Sequence, residues 1–288
     1  MPTAVADPGR RLHVARHVTA EGSFEMVRTA PAARLASFVR SYCGYHERAA
    51  LPAIRRELPG PMVVFILDLG PPLRLLDAAG KLHAQHAGGF AAGLDESFTS
   101  TQTQDGEQRG IQVDLSLTGA QAVFGLPMHE LAGRIVRLDD LFGASVRELR
   151  ARIEDTPDWG ARFALLDRFF AARVGTTAAP TDWLTWAWQR IESSGGQVSV
   201  DTLAREVGYS RKHLTVSFRQ RFGMAPKPLA LLVRFDRAVR MLRARRGRDL
   251  AAVGLECGYF DQAHFIRDFR RYSGSTPGEY TLPWPVGE

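Results

Sequence analysis

The sequence predicts an α+β chain. A β-rich N-terminal domain, barrel- or sandwich-like and followed by helices, precedes an all-α C-terminal domain in which a linker helix joins two helix-turn-helix units. Three observations carry this reading. At 288 residues the chain is longer than a usual single domain. Its apolar residues pass from short runs and period-two alternation to three-and-four spacing near Gly119. Its last hundred residues contain an internal repeat. The expected divisions are a loose leader over 1–22, a β-rich domain with C-terminal helices over 23–174, a linker over 175–181 and the tandem helix-turn-helix domain over 182–284.

The leader has no apolar core behind its charges, so it does not read as a secretion signal. From residue 55 to about 117 the pattern is of short strands. Residues 62–67 form a buried-strand run, 73–76 a second, and 110–115 alternate with period two. Turn residues crowd between them: Pro59, Gly60 and Pro61, then Gly70, Pro71 and Pro72, then Gly88 and Gly89. Such punctuation favours an antiparallel sheet over a doubly wound one. Helical spacing then marks 120–124, 138–153 and 159–173. In the last, Phe163, Leu166, Phe169 and Phe170 make a stripe that reads as core or as a dimer seam. Residues 175–180 have the composition of a short linker.

The repeat has an offset of 50 that becomes 51 after one insertion. Val200, Leu203, Ala204 and Val207 share a helical face and lead into Gly208 and Tyr209. Leu250, Val253, Gly254 and Cys257 do the same before Gly258 and Tyr259. A second helix follows in each copy, marked by Leu214 and Phe218 in one and by Phe265 and Phe269 in the other. Each copy closes on Gly-x-x-Pro, Gly223 with Pro226 and Gly274 with Pro277. Helices that cross steeply need a small residue where they approach, which suits Ala204 and Gly254. The turn needs positive φ, which suits Gly208 and Gly258. Ser210 and Asp261 are placed to cap the second helices.

Residues 227–246 read as one continuous helix of roughly 30 Å, near the ~34 Å between successive major-groove faces of a duplex. Leu231, Leu232, Phe235, Ala238, Val239 and Leu242 give it an apolar side. Arg234, Arg237, Arg240 and Arg243 wind around it, most of them solvated or paired with residues such as Asp236 and Glu256. From residue 181 onward there are 17 Lys+Arg against 11 Asp+Glu, which accounts for the whole net charge of +6; the first 180 residues balance. A basic domain beside a neutral one suits a polyanionic partner.

Residues 198–281 resemble the AraC/XylS-type DNA-binding domain. The stretch from Gly258 and Tyr259 through Asp261, Gln262, Ala263, His264, Phe265, Arg267, Phe269 and Arg270, then Gly274, Pro277 and Tyr280, carries the resemblance, which covers about 30% of the chain. It implies a sequence-specific transcription regulator with two recognition helices in adjacent major grooves. Double-stranded DNA and the transcription machinery are the partners it implies. Carried over by position, the base-reading candidates are Lys212, Thr215 and Val216, and then Gln262, Ala263, His264 and Arg267. Arg267 suits guanine O6/N7 and Gln262 suits adenine or phosphate. Many members have arginine where Val216 stands, so reading by the first helix is expected to be apolar or weak. For His264, base contact and helix support both stay open. Ser210, Arg211, Arg219, Lys227 and Arg270 are the phosphate-contact candidates. The resemblance also implies a sensor or dimerisation role for the first domain, with an unidentified small-molecule effector and a homodimer as further partners.

No catalytic residue, cofactor or metal site is expected. His83 and His86 lack the surrounding ligands of a metal centre, and no Ser/His/Asp set, P-loop or dinucleotide fingerprint is present. Cys43, between Tyr42 and Gly44, lacks the partners of a reactive thiol, and Cys257 reads as core. Two cysteines without zinc spacing fit a reducing, cytoplasmic setting. The apolar run at 62–69, broken by Asp68, is too short to span a bilayer, so no membrane association is expected. An enzyme or small-molecule module with auxiliary DNA-binding units, and a constitutive DNA-binding protein whose first domain only dimerises, are the alternatives.

Overall fold

The computed structural model describes residues 10–19, 22–49, 54–77, 80–104, 106–175, 182–244 and 249–281. The first domain contributes eleven strands among these: β1 (His13–Thr19), β2 (Gly22–Thr29), β3 (Val39–Ala49), β4 (Ile54–Glu57), β5 (Val63–Asp68), β6 (Arg74–Leu76), β7 (Leu82–Gln85), β8 (Phe90–Ala92), β9 (Thr99–Gln102), β10 (Glu107–Leu115) and, after the first α-helix, β11 (Ile135–Arg137). Every pairing is antiparallel. Seven strands form one sheet in the order β1-β2-β3-β10-β5-β8-β11, and four form another in the order β4-β9-β6-β7. The antiparallel, β-rich expectation therefore holds.

Two expectations need correction. The sheet begins earlier than the patterning suggested. β1 lies inside the stretch expected to be a loose leader and pairs along its length with β2, from His13 opposite Arg28 to Thr19 opposite Gly22. β1 is exposed throughout, and an exposed edge hairpin shows little of the apolar alternation by which strands are recognised. The helix expected over 138–153 is two helices, α2 (Leu138–Phe142) and α3 (Ala144–Glu154), divided at Gly143. α1 (Leu117–Phe124) lies between β10 and β11, and α4 (Trp159–Val174) follows the pair. Of the linker expected over 175–181, residues 176–181 lie outside the described residues.

Period-two alternation on the central strands divides the domain into two cores. On β5, Val63, Phe65 and Leu67 face the helices and join the main cluster, whereas Ile66 belongs to a smaller one with Leu73, Leu75 and Phe90. The expected stripe on α4 is core. Phe163 stacks on Tyr42 and Phe170 meets Phe65 edge-on. The seam is locked by a polar tie, in which Asp167 accepts from the Tyr42 hydroxyl at 2.9 Å and from the Ala32 amide at 3.1 Å and pairs with Arg10.

The C-terminal domain is α5 (Trp183–Ser193), α6 (Val200–Val207), α7 (Arg211–Phe222), α8 (Pro226–Ala244), α9 (Leu250–Glu256), α10 (Gln262–Ser273) and α11 (Pro277–Thr281). α6/α7 and α9/α10 are the two expected helix-turn-helix units, and α8 is the connector. The last residues of the expected connector, 245–246, lie outside the described residues. Among the described residues no helix is long and apolar enough to cross a membrane.

Candidate nucleic-acid interface

The two units are built alike, bond for bond. Gly208 and Gly258 take φ of +73° and +82°. The amide of the following tyrosine donates back into the first helix, Tyr209 to the Ala204 carbonyl at 3.1 Å and Tyr259 to the Gly254 carbonyl at 3.0 Å. Ser210 Oγ accepts from the His213 amide at 3.2 Å and Asp261 Oδ1 from the His264 amide at 2.6 Å, so both expected caps form. A Cβ at Gly254 would sit 3.1 Å from that of Phe265, which explains the small residue there. Cys257 is buried, its thiol 3.5 Å from Met241 Sδ.

These constraints aim one face of each second helix outward. On α7, Lys212 and Val216 are exposed, Val216 by 45%, and Thr215 is half-buried. On α10, Gln262, Ala263 and Arg267 are exposed. His264 differs. Its Nε2 lies 3.4 Å from Asp268 one turn on, and its Nδ1 accepts from the Phe260 amide at 3.4 Å, so both ring nitrogens have neighbours within the domain. Of the phosphate candidates, Lys227 and Arg270 are exposed. Ser210 is occupied as a cap and Arg211 pairs with Asp201. Arg219 lines a cleft against the N-terminal domain.

The connector's arginines are mostly engaged. Arg234 donates to the Gly196 carbonyl at 2.9 Å, Arg240 to Asp236 at 3.0 Å and Arg243 to the Tyr280 hydroxyl at 2.6 Å. Phe260, 89% exposed just before the Asp261 cap of α10, lies in the family-like stretch, but the sequence assigns it no role. No periodicity flags a single aromatic in a turn. Phe235 of α8 packs on Phe269 and Tyr272 of α10, which ties the second unit to the connector.

The N-terminal domain grips the C-terminal end of both second helices. A Cβ at Gly223, which closes α7, would meet the Met128 carbonyl at 2.7 Å. One at Gly274, which closes α10, would meet the Phe98 ring at 2.5 Å. Arg271 pairs with Glu96 beside it. The segment bearing Glu96 and Phe98 has two sides. Gly93, Asp95, Ser97 and Thr99 line a cavity of about 180 Å³ between the sheets, whereas Glu96 and Phe98 reach α10 and its cap. The cavity's polar and apolar lining was not legible in the sequence, because eight strands contribute to it a residue or two at a time.

Residues 203–282 match the family model described as a helix-turn-helix domain. The C-terminal region is an AraC/XylS-type helix-turn-helix domain. The chain is similar there to the transcriptional regulator ArgR of Pseudomonas aeruginosa, 32% identical over 82 residues, which is 28% of this chain and 25% of that protein. It is also similar to the probable transcription factor PqrA of Proteus vulgaris, 28% identical over 101 residues, 34% of this chain and 80% of that protein. The chain thus spans about a quarter of the first curated relatives it matches. Over 91% of this chain the fold is similar to the crystal structure of ToxT from Vibrio cholerae, of which 98% is covered, with a TM-score of 0.50 at 11% identity.

Proposed function

We propose that the protein is a sequence-specific DNA-binding transcription regulator. It sets its AraC/XylS-type recognition helices, α7 and α10, in adjacent major grooves and answers to a small molecule held in the N-terminal domain. One observation carries this reading. Both second helices present an exposed face containing Lys212 or Arg267, and neither cation has a partner among the described residues. Cations held out in this way are available to base edges and phosphates. The 19-residue connector, at about 1.5 Å per residue, spans roughly 28 Å, close to one helical turn of duplex. The cavity beside the docking segment supplies a place for the effector, and the transcription machinery is the partner that such binding would serve.

The test is selection of bound duplexes from a random pool with the full chain. Two half-sites about one helical turn apart are the expected result, with affinity falling steeply as salt rises. Equal binding of selected and random duplexes at every salt concentration would overturn sequence-specific reading.

A further inference from the structure

The walls of the cavity indicate what kind of molecule belongs in it. Met62, Val64, Ile66, Leu73, Leu75 and Phe90 supply an apolar body. The polar groups include Glu57, Asp95, Tyr45, Thr101, Gln108 and Gln112, and no lysine, arginine or histidine is among the lining residues. Of the nearby guanidinium groups, Arg74 bonds Gln102 at 2.8 Å, while Arg55, paired with Glu47, and Arg243, bonded to Tyr280 at 2.6 Å, attract the Glu57 carboxylate from outside the lining. Tyr45 lines this space, its hydroxyl lying over Gly110. It is 7% exposed, and its hydroxyl lies beside Gln108 without a well-formed hydrogen bond. A buried polar atom left in this state is rare in a folded protein and marks a place where a partner belongs.

From this arrangement we propose that the cavity binds a hydrophobic amine, its apolar body among the methyl-bearing residues and its ammonium group toward Glu57 and the Tyr45 oxygen. The proposal rests on the effector reading above and names the chemical class of that effector. An ammonium group donates hydrogen bonds and accepts none, which matches a carboxylate and a phenolic oxygen. Glu57 has one contact within the wall, a hydroxyl from Thr101 at 3.2 Å. It lines the cavity from the exposed edge strand β4, and local desolvation holds its carboxyl above the usual range against the pull of Arg55 and Arg243. A cation in the cavity relieves that cost, whereas a second carboxylate adds like-charge repulsion.

Three probes of equal skeleton separate the head groups: 3-phenylpropylamine, 3-phenylpropanol and 3-phenylpropanoate, each titrated by calorimetry into the full chain, with thermal melting alongside. The amine is expected to bind at least tenfold more tightly than the carboxylate and to raise Tm. Glu57→Gln should bring the amine down to the level of the alcohol, and Tyr45→Phe should weaken the amine without lowering the unliganded Tm. Tighter binding of the carboxylate, an amine-to-alcohol ratio unmoved by Glu57→Gln, or no binding of any probe would each overturn the proposal. DNA binding by the same samples without probe is measured in parallel, so loss of the amine site and loss of the DNA-binding reading register separately. If the alcohol or the carboxylate binds and the amine does not, the effector site stands and its assigned chemistry falls.

Discussion

Arg267 carries the sharpest expectation at the scale of single residues. It is exposed on α10 and lacks a partner among the described residues, so its guanidinium is free for a bidentate contact with guanine. Arg267→Ala should cost about 1–3 kcal/mol on the selected duplex and relax preference at one position. Lys227→Ala should instead weaken all duplexes alike and lower the salt slope. An unchanged footprint and affinity for Arg267→Ala would remove it from base reading. Asp68 offers a second test of a different kind. It is 3% exposed, and burial, outweighing a Leu73 amide contact and the charge of Arg150, pushes its carboxyl up to about 7. The native state then holds a proton that the unfolded chain releases from about pH 4 upward. Stability present at low pH is therefore lost as pH rises toward and through 7. Asp68→Asn should flatten that slope and exceed the parent at pH 8 by on the order of a few kcal/mol. Urea melts across pH 5–8 read this directly, and parallel profiles would refute it.

Within elements, the caps and ties set what each helix can present. Asp261→Ala removes the acceptor for the His264 amide and should cost about 1 kcal/mol. Fraying the first turn of α10 also disturbs Gln262 and Ala263, so specificity should fall further than thermal stability. Equal losses on selected and random duplexes would show that the cap serves only folding. For α4 the expectation concerns stability alone. Asp167→Ala strips the Tyr42 hydroxyl, the Ala32 amide and Arg10 of their shared acceptor in a buried seam. Breaking a buried charged tie of this type costs about 3–5 kcal/mol. A loss below 1 kcal/mol in denaturant melts would mean that the tie is dispensable.

For the molecule as a whole, the decisive feature is that one domain holds the ends of both second helices, α7 and α10. Gly223 abuts Met128, and Gly274 abuts Phe98 beside the Glu96–Arg271 pair. Both units are therefore fixed to a common body as well as to α8. Phe98→Ala combined with Glu96→Lys removes the ring and reverses the charge. Small-angle scattering of this variant should show a larger radius of gyration than the parent, and DNA affinity should lose its response to any cavity ligand. A scattering profile identical to that of the parent would place the docking energy elsewhere. The same segment, residues 93–99, lines the cavity with its alternate residues. It is thus a direct physical route by which an occupied cavity would bias the second unit.

The sequence by itself determined the tandem units, because their constraints are local. A positive-φ turn, a small crossing residue and a capping side chain must each fall at a set distance along one short stretch, and Gly208, Gly258, Gly254, Ser210 and Asp261 show them in linear order. It also determined the antiparallel class of the first domain, through turn residues between runs such as 62–67 and 110–115. Only the tertiary structure decided which face of β5 meets helices and which meets the cavity. The exposed β1 hairpin, the break at Gly143 and the docking role of Gly223 and Gly274 were decided there as well. The facing of β5 and the docking of Gly223 and Gly274 depend on residues distant in the chain, which leave no period or spacing along it to be read. The β1 hairpin and the Gly143 break are local, but an exposed strand lacks apolar alternation and helical spacing runs on across a single glycine.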